Sequence, residues 1–442
     1  MRPKTSPPRP LSGLAAMLDA PSGSSRSPLA AVTGVTIDSR QVLPGDLYVA
    51  LPGNTAHGAD FSPQAMASGA VAILTDPAGR EAAAATGLPV LVLGDPRLVL
   101  GQIASWVYGQ PAHDISVLGV TGTSGKSTTT FLLEAGLRAA GHTTGLVGGV
   151  EIHAGDVVIE PKLTTPEATD LHGLFALMRE RGVTAAAMEV SSHALALGRV
   201  DGVFYDVALF TNLSQDHLDF HKDLDDYFAT KARLFQPEFS RTGVTNLDDA
   251  HGRELLHRAT IPMTTFSATG DPGADWRALD VRLGADGSAF RVVGPGGVED
   301  DVAISLPGPF NVANALGAIV TLVEAGVPLR AAVHGVGSMT GVPGQDGARH
   351  RRRLRVPGRG RLLPQAGGGR VRARVAARRH GGQADHRARL RRRPRQGQAP
   401  AHGRGGREAG RCGDFHQRQP PLRGPAGDPC RDDGRSATGA AR

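Results

Sequence analysis

The stretch Val117-Leu-Gly-Val-Thr-Gly122-Thr-Ser-Gly125-Lys126-Ser127-Thr128 decides the reading of this chain. An apolar run, Ile115 to Val120, enters a glycine-rich turn, and a helical pattern from Phe131 to Ala140 follows. A strand, a tight loop and a helix N-terminus in that order make an anion cradle. Backbone N–H groups and the helix dipole both favour a phosphate there. Lys126 reaches the terminal phosphates in such a loop, and Ser127 holds Mg²⁺. The match is to the core Gly-x-x-Gly-Lys-Ser. The strict pattern asks for a small residue at position 120, which is valine here.

Composition divides the chain in two. The 442 residues carry a formal net charge of +7, from 49 Lys and Arg against 42 Asp and Glu. Residues 345–442 hold 26 Arg, no Lys, six Asp and one Glu, so residues 1–344 hold 23 basic and 35 acidic side chains. The body is therefore at −12 and the remainder at +19. Residues 345–442 also lack Ile, Met, Tyr, Trp and Asn, and Phe415 is their single Phe. Such a composition buries too little apolar surface to offset its ordering entropy, so a disordered segment is expected there. Two readings of it stand. One is a basic arm that binds nucleic acid or another polyanion. The other is a shifted reading frame in a GC-rich gene, where Arg, Gly, Pro and Ala codons dominate; the absence of Lys favours it.

Both cysteines, Cys412 and Cys430, fall in that segment, so no disulfide framework or cysteine metal site is expected in the body. Residues 1–30 are Pro- and Ser-rich and read as disordered, with no apolar core of a signal peptide. No apolar run reaches membrane-spanning length. A cytoplasmic protein with no membrane partner, and a monomer, is expected.

An α/β fold follows from the alternation of short apolar runs with helical patterns. Residues 31–110 read as a small N-terminal α/β domain, with strands at Val35–Ile37, Asp46–Leu51, Ala70–Leu74 and Leu88–Leu93 and a helix from Phe61 to Gly69. Residues 109–114, Gly-Gln-Pro-Ala-His-Asp, are turn-rich and read as a linker. Residues 115–340 form the larger unit. Further strands are expected at Thr184–Val190, Val207–Thr211 and Thr242–Thr245, and helices at Thr169–Arg181, Asp225–Phe235 and Asn311–Glu324. This order predicts a mostly parallel sheet with helices on both faces.

Two strand ends carry chemistry. Glu189 closes the strand that contains Met188, and a carboxylate there, facing a phosphate loop, is placed to hold Mg²⁺ directly or through water. Taken alone it reads equally as a solvated strand end. Beyond Phe210, the residues Asp216, His217, Asp219 and His221 read either as an Asp/His metal cluster or as a surface loop with a capping aspartate. Lys231, by helical pattern alone, belongs on a solvated face.

Taken together, these segments resemble the Mur ligases. The resemblance rests on Gly122-Thr-Ser-Gly-Lys-Ser-Thr128, Thr164-Thr-Pro-Glu167, Met188-Glu-Val-Ser-Ser-His-Ala-Leu195, Thr211-Asn-Leu-Ser-Gln-Asp-His-Leu-Asp219, Lys231 and Asn311-Val-Ala-Asn314. Thr36-Ile-Asp-Ser39-Arg40 and Gly45-Asp-Leu-Tyr-Val-Ala-Leu-Pro-Gly53-Asn-Thr-Ala-His-Gly58 look like the uridine-binding domain of the tripeptide-forming branch. The likeness covers about residues 30–344.

The resemblance implies an ATP-dependent ligase of peptidoglycan synthesis that couples an amino acid to a UDP-N-acetylmuramoyl-dipeptide through an acyl phosphate. It implies that Gly122, Thr123, Ser124, Gly125, Lys126, Ser127 and Thr128 hold ATP, with Asn311 and Asn314 near the adenine. Ser127, Glu189 and His217 would contact Mg²⁺, and Lys126, Lys231 and His217 would serve catalysis. Lys231 matches the family's carbamylated lysine. Ile37, Ser39, Asn54, Thr55 and Ala56 would meet the uridine end of the substrate, and Thr164, Thr165, Ser191 and Arg199 the rest of it. Two positions depart from the pattern. Leu197 stands where the family can place a polar substrate contact, and Ser124 where it often has Asn.

The resemblance stops at Gly344. Plausible codons for Gly-Gln-Asp-Gly-Ala, less one base, encode Gly-Arg-Met-Glu, the family's continuation. The same shift applied to the run from Asp414 to Pro425 yields a segment with Asp-Asn-Pro-Arg, the family's motif for meso-diaminopimelate. A frameshifted remnant of the ligase's third domain is therefore expected over residues 345–442, and with it a chain that does not complete amide formation. The rival readings are a nucleotide-dependent nucleic-acid-binding protein with a basic tail, against which the acidic body counts, and the folate-adding relatives, against which the uridine-type segment counts.

Overall fold

The computed structural model describes residues 2–19 and 31–343. The N-terminal region opens with a two-residue strand β1 (Arg9–Pro10), helix α1 (Leu11–Met17) and strand β2 (Ala31–Val32), which pairs with β1. Four short strands follow: β3 (Gly34–Thr36), β4 (Asp46–Ala50), β5 (Ala72–Thr75) and β6 (Val90–Val92). They make a parallel sheet in chain order. Helices α2 (Ser62–Ala67), α3 (Arg80–Ala84) and α4 (Leu100–Val107) accompany it. Every residue of β4 and β5 is buried, as expected of parallel strands covered on both faces.

The expectation of disorder over residues 1–30 does not hold for residues 2–19. Leu11 and Leu14 are buried in the same core as Leu47, Val49, Ile103 and Val107. The guanidinium of Arg2 pairs with the buried carboxylate of Asp46. Two leucines three positions apart present one helical face, enough to dock a seven-residue helix that its Pro- and Ser-rich surroundings conceal. Residues 20–30 and 344–442, and with them the expected disorder and shifted frame, lie outside the described residues.

The larger unit is built on an eleven-stranded sheet. Its strands are β7 (Ser116–Thr121), β8 (Thr144–Val147), β9 (Ile152–Ala154), β10 (Val157–Ile159), β11 (Ala185–Glu189), β12 (Tyr205–Phe210), β13 (Ser240–Asn246), β14 (Met263–Ser267), β15 (Trp276–Leu283), β16 (Ser288–Val293) and β17 (Glu299–Ile304). The spatial order is β10-β9-β8-β11-β7-β12-β13-β14-β15-β16-β17. The middle of the sheet, β8 to β15, is parallel, and antiparallel strands extend it at each end. Neither extension was expected: the runs are short, and β15 to β17 carry many charged residues. β7, the first strand, lies between β11 and β12, so the strand order reverses there. Ligands of open α/β sheets bind outside the carboxyl ends of the strands at such a point.

Helices α5 (Lys126–Ala139), α6 (Ala168–Glu180), α7 (Ser192–Ala196), α8 (Leu224–Ala232), α9 (Ala250–Arg258), α10 (Pro309–Glu324) and α11 (Leu329–Ser338) cover the sheet. The central strands feed two cores by strict alternation. Leu118, Val120, Ala187 and Leu209 face one core with Leu132, Leu133, Leu316 and Val336. Val117, Ala186, Met188, Ala208 and Phe210 face the other with Phe175, Met178 and Phe228. A period of two that is apolar on both phases is the mark of a strand buried on both faces. On the first face α5 and α11 approach closely because Gly136 meets Gly335. A Cβ on Gly335 would lie 2.7 Å from the carbonyl of Ala135.

Candidate active site

The phosphate loop sits at the carboxyl end of β7. Gly122 (φ +143°) and Gly125 (φ +86°) take conformations that L side chains rarely adopt. Each is also close-packed: a Cβ on Gly122 would run into Thr211, and one on Gly125 into Asn314. Gly125 precedes the first residue of α5, so the helix begins at Lys126 rather than near Phe131. The first-turn amides of such a helix have no partner within it. The rest of the loop is held from the neighbouring strand. Asn212 Oδ1 accepts from Ser124 N at 3.0 Å, Asn212 O accepts from Thr123 N at 2.9 Å, and Thr211 Oγ1 donates to Ser124 O at 2.8 Å.

Two lysines converge on this loop. Lys126 Nζ donates to Gly122 O at 3.0 Å and to Thr123 O at 2.8 Å. Lys231 Nζ donates to the same Gly122 carbonyl at 2.9 Å and lies 4.6 Å from the Tyr227 ring centroid. Lys231 is 1 % exposed, so the solvated face suggested by its helical pattern is corrected. It turns inward because α8 packs this face, with Tyr227 and Phe228, against the sheet. Burial pushes the Lys126 amine below its ordinary value, against Glu189 and Asp216. Burial, with the Lys126 charge beside it, pushes Lys231 well below.

Glu189 ends β11 beside the loop and is 2 % exposed, which excludes the solvated strand end. Gly149 N donates to its Oε1 at 2.9 Å, and the Ser127 side chain lies near enough to lower its pKa. Burial raises its pKa against those bonds and the Lys126 charge. A hydroxyl near a buried carboxylate fits a hard divalent cation that takes its other ligands from phosphate and water.

The Asp/His cluster proposed for residues 216–221 does not form. Among the described residues, no three His, Cys, Asp or Glu side chains converge to hold an ion. His221 turns inward, with Nδ1 3.2 Å from Asp226. His217 sits in a left-handed turn (φ +55°), its ring 5.0 Å from that of His193 and 6.0 Å from that of Tyr227. His217 thus neighbours the tyrosine under Lys231.

Beside the loop lies a cleft of about 430 Å³ lined by Thr128, Asn246, Phe266, Phe310 and Asn314. Asn314 is anchored through Nδ2 to Asn311 Oδ1 at 3.2 Å, and Asn311 Nδ2 donates to Pro307 O at 2.9 Å. Of these two asparagines only Asn314 lines the cleft; Asn311 braces it. Sequence reasoning missed Asn246, Phe266 and Phe310. Asn246 was within reach, being a polar residue at the end of a strand in a parallel sheet.

The residues matched to the substrate fall into two groups. Thr165 Oγ1 donates to Glu189 O at 2.9 Å and accepts from Ser191 N at 3.2 Å, so it braces the strand end. Ser191 Oγ caps α7 by accepting from Ala194 N. Thr164 adjoins Gly149. Arg199 lies 2.8 Å from Glu167, whose other oxygen is 3.4 Å from Arg97 of the N-terminal region. Leu197 ends α7. In the N-terminal region, Ser39 is buried and donates to Gln64 Oε1 at 3.1 Å, Ile37 is partly buried, and Asn54, Thr55 and Ala56 form an exposed turn. Gly53 N donates to Ala56 O across that turn, and Pro52 and His57 bridge at its base.

Comparison with known proteins follows the same division. Residues 120–322 match the Mur ligase middle domain, and residues 31–108 match the Mur ligase family, catalytic domain. Over 316 residues the chain is 57 % identical to the UDP-N-acetylmuramoyl-L-alanyl-D-glutamate–2,6-diaminopimelate ligase of Streptomyces avermitilis, covering 72 % of this chain and 62 % of that one. It is 55 % identical over 338 residues to the ligase of the same name from Streptomyces coelicolor, covering 76 % of this chain and 66 % of that one. The chain therefore spans just under two thirds of the length of these relatives. A solved structure of a ligase of that name superposes with a TM-score of 0.63 at 29 % identity, covering 73 % of this chain and 66 % of the other. Both α/β parts of the body match models of one family, and the relatives and the superposed structure carry ligase names of that family: the chain belongs to the Mur ligase family.

Proposed function

We propose that residues 31–343 bind ATP and a UDP-N-acetylmuramoyl-dipeptide for an ATP-dependent acid–amino-acid ligase that adds meso-diaminopimelate in peptidoglycan synthesis. The observation that carries this reading is the convergence of Lys126 and Lys231 on the Gly122 carbonyl, with the Ser127–Glu189 pair alongside. Lys126 is within the loop that would carry the β- and γ-phosphates, and its ammonium would leave two carbonyls for the developing phosphoryl charge. The cleft beside Asn314 would take the adenine. Ser127 and Glu189 would hold Mg²⁺, with His217 at the edge of the site; the ion would neutralise charge on the transferring phosphoryl group. Lys231 would be carbamylated. Burial and the Lys126 charge lower the pKa of this amine, which favours the uncharged, nucleophilic form that attack on CO₂ requires. The exposed turn 54–56 with Ser39 and Ile37 would take the uridine. Thr164, Thr165, Ser191 and Arg199 would take the peptide end, whose carboxylate attacks the γ-phosphate to give an acyl phosphate.

We also propose that the codons after Gly344 are read in a shifted frame. Its support is the run of 26 Arg without Lys and the two latent family segments described above. Sequencing the gene across codon 344 tests this directly. With the frame restored, ligation should follow with meso-diaminopimelate, and a preference for L-lysine would refute the specificity. The nucleotide reading is tested on the chain as it stands by ATP titration with and without Mg²⁺. Absence of Mg²⁺-dependent ATP binding would refute it.

A further inference from the structure

A second polar network lies behind the phosphate loop. Glu134 stands two turns into α5 and is 3 % exposed. Its Oε1 meets His153 Nδ1 at 2.8 Å, Thr144 Oγ1 at 3.1 Å and Arg138 at 3.0 Å. The other nitrogen of His153 meets Glu151 Oε2 at 2.9 Å. A carboxylate accepts and does not donate, so an imidazole bracketed by two of them must donate from both nitrogens, which only the imidazolium does. The pKa of His153 is raised accordingly, by Glu134 first and Glu151 next, against burial. The Phe131 ring meets the imidazole edge-on at 5.9 Å and closes that side.

The position of the network gives it a reach that a buried ion pair alone would not have. Glu134 belongs to the helix whose first turn carries Lys126 and Ser127. Glu151 and His153 belong to the hairpin of β8 and β9, whose turn runs from Gly148 to Glu151. Gly149 in that turn donates its N–H to Glu189. The turn is tightly enclosed: a Cβ on Gly148 would come within 2.6 Å of the Glu189 carboxylate, and one on Gly149 within 3.0 Å of Thr164 Oγ1. One histidine therefore ties the helix that presents Ser127 to the turn that aims Glu189. We propose that His153 is a positioning residue. Held between Glu134 and Glu151, it sets the spacing of Ser127 and Glu189 and thereby the affinity of the nucleotide site for its divalent cation. The inference rests on the nucleotide and Mg²⁺ reading of the preceding section.

The test is Mg²⁺ titration at fixed ATP, read as nucleotide binding, for the full chain and for His153→Gln. Glu151→Gln, at a more exposed position, is carried beside it should the first variant unfold. Each variant should need about tenfold more Mg²⁺ for half-saturation, the lower end of what outer partners of a metal site cost. ATP affinity without the cation should stay at the wild-type value. The amide resonance of Gly149 should shift in both variants. Glu189→Gln combined with His153→Gln should cost no more than Glu189→Gln alone, because the histidine acts through the glutamate. A folded variant with unchanged Mg²⁺ half-saturation would overturn the proposal, as would equal weakening of ATP binding with and without Mg²⁺. Wild-type chain whose ATP binding ignores Mg²⁺ would instead overturn the nucleotide reading, and this inference with it.

Discussion

The two regions of the body proposed to bind ligands are built on opposite terms. At the end of β7, Lys126, Lys231 and Glu189 are desolvated, and their pKa values are displaced toward neutrality. The loop between them is pinned by bonds from the adjoining strand end. In the N-terminal region, Asn54, Thr55 and Ala56 stand in water on a turn held by its own backbone. Buried charge is costly to the fold and is kept where chemistry needs a low dielectric. An exposed turn costs the fold little and gives only what its own hydrogen bonds can supply. Substitutions in the first region should therefore separate binding from stability, and those in the second should touch binding alone.

Lys126→Ala should show the largest effect. Losing charge-assisted bonds to phosphate costs about 1.5–3 kcal/mol, a loss of roughly ten- to hundredfold in ATP affinity by calorimetric titration. The thermal midpoint of the same variant should stay level or rise, since a cation whose burial is unfavourable has been removed. A matching fall in midpoint would mean that the buried lysine holds the loop together, and the contrast would fail.

Lys231→Ala comes next. Incubation with ¹³C-labelled bicarbonate should give a carbamate signal in the wild type and none in the variant, with Mg²⁺-dependent ATP binding weakened by about tenfold. An unlabelled wild-type lysine would leave Lys231 as a loop brace bonded to Gly122.

Asn54→Ala should weaken UDP-substrate binding by about 0.5–1.5 kcal/mol, the worth of one neutral hydrogen bond. Its thermal midpoint should not move. A fall in midpoint would show that the turn is structural after all.

The smallest effect is a pH dependence. His153 is raised above its ordinary value, so the stability it adds is fully present below about pH 6.5. That stability is lost as pH rises through the elevated folded value. The gap in thermal midpoint between wild type and His153→Gln should narrow as pH rises above about 6.5. A constant gap would assign the histidine to packing against Phe131.

The limits of sequence reading show at particular residues. The loop from Gly122 to Thr128 was legible because its glycines, lysine and flanking periodicity are local signals. The parallel strands β7, β11, β12 and β13 were legible from their apolar runs. Lys231 was not: a lysine in a helix announces a solvated face, and only the packing of α8 on the sheet turns it inward. The outer strands β15 to β17 escaped because Asp300, Asp301, Arg277 and Arg282 interrupt their apolar pattern at an exposed sheet end. Helix α1 escaped because two leucines suffice to dock it.

What the sequence by itself determined is the set of local forms: strand, phosphate loop, helix, and the alternation that demands a sheet covered on both faces. Each follows from the stereochemistry and periodicity of neighbouring residues. What only the tertiary structure decided is which distant groups share a dielectric. Lys231 lies 109 residues from the Gly122 carbonyl it meets, and Gly149 lies 40 from Glu189. Those pairings arise from strand order, and so do the burial and the displaced pKa values on which the site depends.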